Sequence, residues 1–257
     1  MTYHPSSFQV TLVGSASLIV YPLKEMAAAA ANPARKRFIA FLGGWLERQQ
    51  TFLNQLLRLV DLPSSENKAH QQRHLIEQVL CHYQQYFAEK ALTAEEDVFV
   101  LFSPPWLSSF ERTMLWLAGF KPSLVLRMVD SSVEDLTAEQ AREMEAVKGE
   151  TRRAERELSE TMARIQESVA APPILALARR VGRLMDGEIS SLDLAMETLK
   201  TAMLGVFESA NGLRGSTVRK VVEVLSPEQT VKVLAAVAQF QLGIRRLGLQ
   251  RDSQQQS

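Results

Sequence analysis

From Asn32 onward, every strongly periodic segment repeats its apolar residues at intervals of three and four, the spacing that lines side chains along one face of an α-helix. The expected fold is therefore all-α: a single multi-helix bundle with a long central charged helix and almost no sheet. The first helix opens at Pro33, after Asn32 as capping residue. Phe38, Phe41, Trp45, Phe52, Leu56 and Leu59 form an aromatic-rich stripe along it as far as Val60. Arg37, Glu47, Arg48 and Arg58 are left for solvent, so the stripe reads as core. Pro63 and two serines in the stretch from Asp61 to Ser65 end the pattern.

A second helix is expected from Asn67 to Lys90, with Leu75, Val79, His82 and Tyr86 on its inner face. His70 and His74 stand four residues apart, the spacing of helical metal sites, but no third ligand cluster follows them, and no metal is expected. Cys81 reads as a buried filler in a chain whose single cysteine allows no internal disulfide. Its neighbour His82 points about 100° away on a helix, which argues against a Cys-His catalytic pair. The stretch SPPWLSSFERTMLWLAGFKPS, Ser103 to Ser123, predicts an extended entry at Pro104-Pro105. A capping box of Ser108 and Glu111 starts a short helix that Gly119 stops. Phe110, Met114 and Leu117 share one of its faces and Trp116 lies toward another. Pro122 opens the next helix, through Met128. Trp45 and Trp116 are both expected in the core.

Thr137 with Gln140 begins a long helix to about Val169, and 16 of the 34 residues from Glu134 to Glu167 are charged, so only one narrow face is available for packing. Met144, Val147, Thr151, Ala154, Leu158, Thr161, Ile165 and Ser168 mark that face, too poor in large aliphatics for a self-standing coiled coil. Ion pairs are expected along it between Glu160 and Arg164, and between Arg153 and Glu157. Ala171-Pro172-Pro173 is a break, followed by helices from Ile174 to Val181, Ser191 to Leu213 and Thr217 to Leu225. Ser226-Pro227 caps and starts the last helix, which presents Val231, Leu234, Val237, Ala238, Leu242 and Arg245 along one side and ends near Gly248. Residues 1–32 read as an accessory segment, residues 33–252 as the domain, and residues 253–257 as a disordered polar tail.

Lys plus Arg and Asp plus Glu both number 29, so no excess positive charge draws the chain onto phosphate backbones or anionic membranes. The apolar run Phe8 to Tyr21 is interrupted by Gln9, Thr11, Gly14, Ser15 and Ser17 and falls short of a membrane span. No Rossmann, phosphate-loop or zinc-finger pattern occurs, and the chain is not expected to be an enzyme. Arg152, Arg153 and Arg156 are the densest basic cluster, but Glu150, Glu155, Glu157 and Glu160 surround them, so specific duplex-DNA binding is not expected.

Several of these features occur together in a known order. Phe38, Phe41, Trp45 and Gln49, then His82-Tyr83 with Tyr86-Phe87, then Pro105-Trp106, Glu111-Arg112, Leu115-Trp116, Gly119-Phe120 and Pro122 resemble the DELAY OF GERMINATION domain, from about Pro33 to Asp252. That domain occurs at the C-terminus of TGA-type leucine-zipper transcription factors and alone in seed dormancy proteins. Only Lys24 precedes Arg35 as a Lys or Arg, so a basic region and zipper are not expected here, and the resemblance is to the stand-alone type. It implies a plant regulator of seed dormancy, seed maturation and abscisic acid signalling in nucleus and cytosol. The implied partners are regulatory proteins such as type 2C protein phosphatases, or transcription factors. The family is in some cases associated with haem. The last helix has no histidine, and no cofactor is expected. The positions carried over as core or partner surface are Phe38, Phe41, Trp45, Gln49, His82, Tyr86, Trp106, Glu111, Arg112, Trp116, Gly119 and Pro122.

Overall fold

Seven helices make up nearly all of residues 33–63, 65–169 and 186–255, the part of the chain that the computed structural model describes. The accessory segment 1–32, the Ala171-Pro172-Pro173 break, the helix expected from Ile174 to Val181 and the last two residues of the expected tail lie outside it. Helix α1 runs Pro33–Asp61 and buries Ala34, Phe38, Leu42, Trp45, Gln49, Leu53, Leu56 and Leu59, with Phe41 and Phe52 half-buried at the edges. Steps of three and four bring these residues onto one face.

Helix α2, Glu66–Phe102, begins where Ser65 accepts the Lys68 N–H at 3.1 Å, and it continues past the expected end at Lys90. Lys90 is 4% exposed, so it prolongs the inner face instead of ending it. The helix kinks at Asp97 (φ −152°, ψ 92°), whose carboxylate accepts the N–H groups of Phe99 and Val100 and so restarts the helix. Helix α3, Ser109–Thr113, has the expected Ser108–Glu111 capping box but is shorter than expected. The chain leaves it at Met114, which is 40% exposed, so Phe110, Met114 and Leu117 share no helical face. Helix α4, Ser123–Ser132, follows Pro122 as expected and extends past Met128.

Helix α5, Ala138–Val169, starts with Thr137 and Gln140 exchanging hydrogen bonds of 3.0 and 3.1 Å, the predicted start. Its ion pairs are not the expected ones. Lys148 meets Glu145 and, across to α4, Asp130, while Glu155 meets Lys121 and Glu150 meets Lys220 of the following helix. Helix α6, Asp186–Val224, is continuous through the break expected between Leu213 and Thr217. Gly212 and Gly215 there face open space, and the residues around them, Ala210, Arg214 and Thr217, are buried; packing holds the helix through two poor helix formers. Helix α7, Pro227–Gln255, is capped by Ser226 with Gln229 and runs on through Gly248. Residues 253–255, expected as disordered tail, are its last turn. Gly248 ends nothing: a Cβ there would lie 2.0 Å from the Ser108 hydroxyl, so it serves the close approach of α7 to the start of α3.

The hairpin of α1 and α2 packs on α7 through Leu56, Leu59, Leu75, Val79, Val231 and Leu234. The last part of α2 meets α5 and α6 through Val98, Leu101, Met162, Met203 and Phe207. A third cluster, with Leu126, Val129, Met144, Val147 and Val221, joins α4, α5 and α6. Each such buried side chain contributes roughly 1.5–3 kcal/mol. Helix α7 touches α1, α2, α3 and α4, whereas α5 lies mainly along α6. Among the described residues no helix is long and apolar enough to cross a membrane.

Candidate functional site

The positions marked by the sequence converge on the junction of α1, α2, α3 and the turn that follows α3. On α1, Phe38 and Trp45 are buried two turns apart and face α2. Phe38 lies 4.5 Å from the ring of Trp106 and 6.0 Å from that of Tyr86. Trp45 stacks on His82 at 4.5 Å and 6°, and its indole N–H donates to the His82 carbonyl at 3.0 Å. The two ring nitrogens of His82 are buried without a hydrogen-bond partner. Burial, and then the charge of Arg48, pushes its pKa down to about 4, so His82 is a neutral member of the stack. Gln49 donates to the Tyr83 hydroxyl at 2.6 Å and to Gln241 at 3.1 Å, while Tyr83 donates to Gln241 at 2.8 Å, tying α1, α2 and α7 together.

Glu111 is only 6% exposed. Its carboxylate accepts the Ser108 N–H at 2.8 Å and hydroxyl at 2.7 Å, and Arg245 of α7 reaches it at 3.3 Å while also donating to the Trp106 carbonyl. The capping box that starts α3 is thereby bolted to α7.

The next residues form the tightest feature of the backbone. Leu117 and Ala118 have φ of 45° and 62°, and Trp116 and Gly119 exchange backbone hydrogen bonds of 2.6 and 3.1 Å across the turn. Left-handed backbone at two non-glycine residues is unfavourable and persists only where surroundings impose it. Two buried cations do so. Arg214 donates to the carbonyls of Trp116, Leu117 and Phe120 at 2.5, 3.0 and 2.8 Å, and Lys90 donates to that of Ala118. Arg214 also lies over the Trp116 ring, and Lys90 over Tyr86 and Phe207. Burial pushes the Arg214 pKa down to about 10, and burial with Arg214 nearby holds Lys90 well below the ordinary lysine value. Gly119 is required by contact: a Cβ would lie 2.9 Å from the guanidinium carbon.

Of the marked positions, Phe38, Trp45, Gln49, His82, Glu111 and Pro122 are buried, and Phe41, Tyr86, Trp106, Arg112, Trp116 and Gly119 are half-buried. Trp116 is thus not the full core residue expected; its indole N–H reaches outward to Ser159 on α5 at 2.9 Å. Cys81, expected as filler, is exposed. His70 and His74 are exposed, and the described residues contain no cluster of metal-ligating side chains. Sequence reasoning missed Lys90 and Arg214. The available signal was a cation standing in line with buried positions, as Arg214 does with Phe207, Ala210, Thr217 and Val221. The arrangement positions no nucleophile against a base. What it builds is a rigid frame that fixes how α3, the turn and α4 are presented.

A profile of the family described as Seed dormancy control (DOG1) matches residues 53–131. The chain is 41% identical to Protein ZW2 of Arabidopsis thaliana, over 82% of this chain and 96% of that protein. It is 42% identical to Protein RESPONSE TO ABA AND SALT 1 of the same plant, over 81% of this chain and 93% of that protein. It is 28% identical to Transcription factor TGA2.3 of Oryza sativa subsp. japonica, over 79% of this chain and 61% of that factor.

Proposed function

The chain belongs to the Seed dormancy control (DOG1) family, and from that premise we propose that it is a non-enzymatic, protein-binding adaptor of seed dormancy, seed maturation and abscisic acid signalling. The observation that carries the reading is where the buried polar groups go. Glu111, Arg245, Lys90 and Arg214 spend their hydrogen bonds mainly on the α3 capping box and the carbonyls of the turn, which suits a scaffold and leaves none of the four free to act as an acid or base. The name of the relative RESPONSE TO ABA AND SALT 1 supports the abscisic acid setting. On this reading the domain spans residues 33–252, the partners are regulatory proteins with type 2C protein phosphatases as first candidates, no cofactor takes part, and the protein works in nucleus and cytosol.

The test is reconstitution of the full chain with a purified type 2C phosphatase, followed by gel filtration and phosphatase assay. A stable complex with altered phosphatase output is expected; separate elution and unchanged output would remove this partner.

The likeness to TGA factors favours a second reading, a transcriptional cofactor working with such factors on DNA. Gel shifts with TGACG-containing and scrambled duplexes separate the two. Binding to duplex only when a TGA factor is added supports the cofactor reading. Tight, discriminating binding by the chain alone would overturn the adaptor and make it a transcription factor itself.

A further inference from the structure

Helices α4 and α5 run antiparallel, and between them lies a groove of about 530 Å³ floored by Leu126. Arg127 projects from α4, and Arg152 and Arg156, one turn apart on α5, face it; Lys121 stands at the entry to α4. These three arginines are exposed and have no ion-pair or hydrogen-bond partner among the described residues. Of the four acids that surround the cluster in sequence, Glu150 and Glu155 are engaged elsewhere and Glu157 does not line the groove. Glu150 is held by Lys220 of α6, Asp130 by Lys148, and Glu155 is buried with its carboxylate on the Ser123 N–H at 2.6 Å and near Lys121. Only Glu160, at one end of the groove, remains uncompensated in its lining.

We infer that this groove is a docking site for a short acidic segment of a protein partner. The inference rests on the protein-binding reading above and deepens it by naming the partner's chemistry. Charge complementarity selects an anion, because three guanidiniums with free donors converge on one trough. The ends select a peptide over a nucleic acid. Asp130, level with Lys148, lies at one end and Glu160 at the other, ~18 Å along α5. About five residues of extended chain fit between them, whereas a continuous phosphate backbone would be driven past both carboxylates. The apolar floor at Leu126 adds contact that a free ion would not use.

The test is a fluorescence-anisotropy titration of the full chain at physiological salt, with a labelled peptide carrying Asp-Glu-Asp between glycines. An Asn-Gln-Asn counterpart and a single-stranded oligonucleotide are the comparison probes. The acidic peptide alone should bind. Arg127→Ala, Arg152→Ala and Arg156→Ala should each weaken it about threefold to fivefold, and the triple variant by more than about tenfold. Arg153→Ala, adjacent in sequence but outside the groove, should change nothing. No binding of the acidic peptide, a loss in Arg153→Ala equal to that in Arg152→Ala, or tighter binding of the oligonucleotide would each overturn the inference. The adaptor reading fails separately, if the chain forms no complex with regulatory partners; if the triple variant keeps a partner that wild type binds, that reading stands and this one falls.

Discussion

Two sets of cations on this chain do opposite things. Lys90 and Arg214 lie inside the junction, 4% and 7% exposed, and every donor with a partner there is turned toward backbone carbonyls or an asparagine of the same chain. Arg127, Arg152 and Arg156 stand in the α4–α5 groove, exposed, with donors left to solvent. Charge is common to both sets, so it does not assign the role. Burial does: a cation removed from water must satisfy its donors inside the fold and becomes structure, whereas one left in water keeps its donors for a partner.

Removing the buried guanidinium breaks this comparison most directly. Arg214→Ala leaves the carbonyls of Trp116, Leu117 and Phe120 without their donor and frees a turn that holds two residues at positive φ. The expected loss is about 4 kcal/mol, in the upper range for single substitutions. Urea denaturation measures it, and a loss under about 1 kcal/mol would mean that the turn holds itself.

The second effect uses His82, a group that burial has made neutral. Its folded pKa, about 4, lies below the ordinary 6.5, so the unfolded chain takes up its proton first as pH falls. Stability is therefore fully present above pH 6.5 and is lost as pH drops toward 4, by as much as about 3 kcal/mol. Replacing His82 with Phe retains an aromatic ring against Trp45 and should flatten the stability curve across that window. The same acid loss in His82→Phe and wild type would assign it to other groups.

Lys90→Met comes third. It keeps apolar contact with Tyr86 and Phe207 and loses one hydrogen bond, to Ala118, while relieving a desolvated charge. Stability at neutral pH should stay within about 1 kcal/mol of wild type. The sign of the pH dependence is the sharper observable. A lysine whose folded pKa is depressed makes the fold more stable as pH rises toward its ordinary 10.5, because the folded chain gives up that proton before the unfolded chain does. Thermal melts between neutral pH and about pH 10 should show that rise in wild type and a smaller one in the variant.

Which parts of this were legible in the sequence follows from how local their causes are. The boxes at Ser108–Glu111 and Thr137–Gln140 involve residues three apart, and both form as read. The stripe of α1 was legible for the same reason. The misreadings at Lys90, Gly248, Gly212 and Gly215 came from distant contacts. Lys90 looked like a helix end because its carbonyl partner is 28 residues away, and Gly248 looked like a stop because the hydroxyl that needs its bare Cα belongs to Ser108. Gly212 and Gly215 suggested a break that packing of α6 against α5 overrides. Trp116 carries the signature of a core residue but sits half-buried between Arg214 and Ser159. For the candidate site, the marked residues were found, but the two cations that clamp the turn were not.

The smallest expected effect completes the comparison from the solvent side. Arg127→Ala, Arg152→Ala and Arg156→Ala remove charges of the same kind as Arg214, yet each should change stability by no more than about 0.5 kcal/mol. None makes a hydrogen bond or ion pair that holds two elements together, since the ties between α4 and α5 are Lys148 with Asp130 and Glu155 with Ser123 and Lys121. Truncating an exposed arginine on a helix also carries little propensity cost, because alanine is the better helix former. Urea midpoints of the three variants should coincide with wild type, and circular dichroism should keep the full helical signal. A loss comparable to that of Arg214→Ala would show that these arginines bear structural load and are not held in reserve for a partner. The contrast between buried and exposed cations would then fail at its second term, whatever the groove binds.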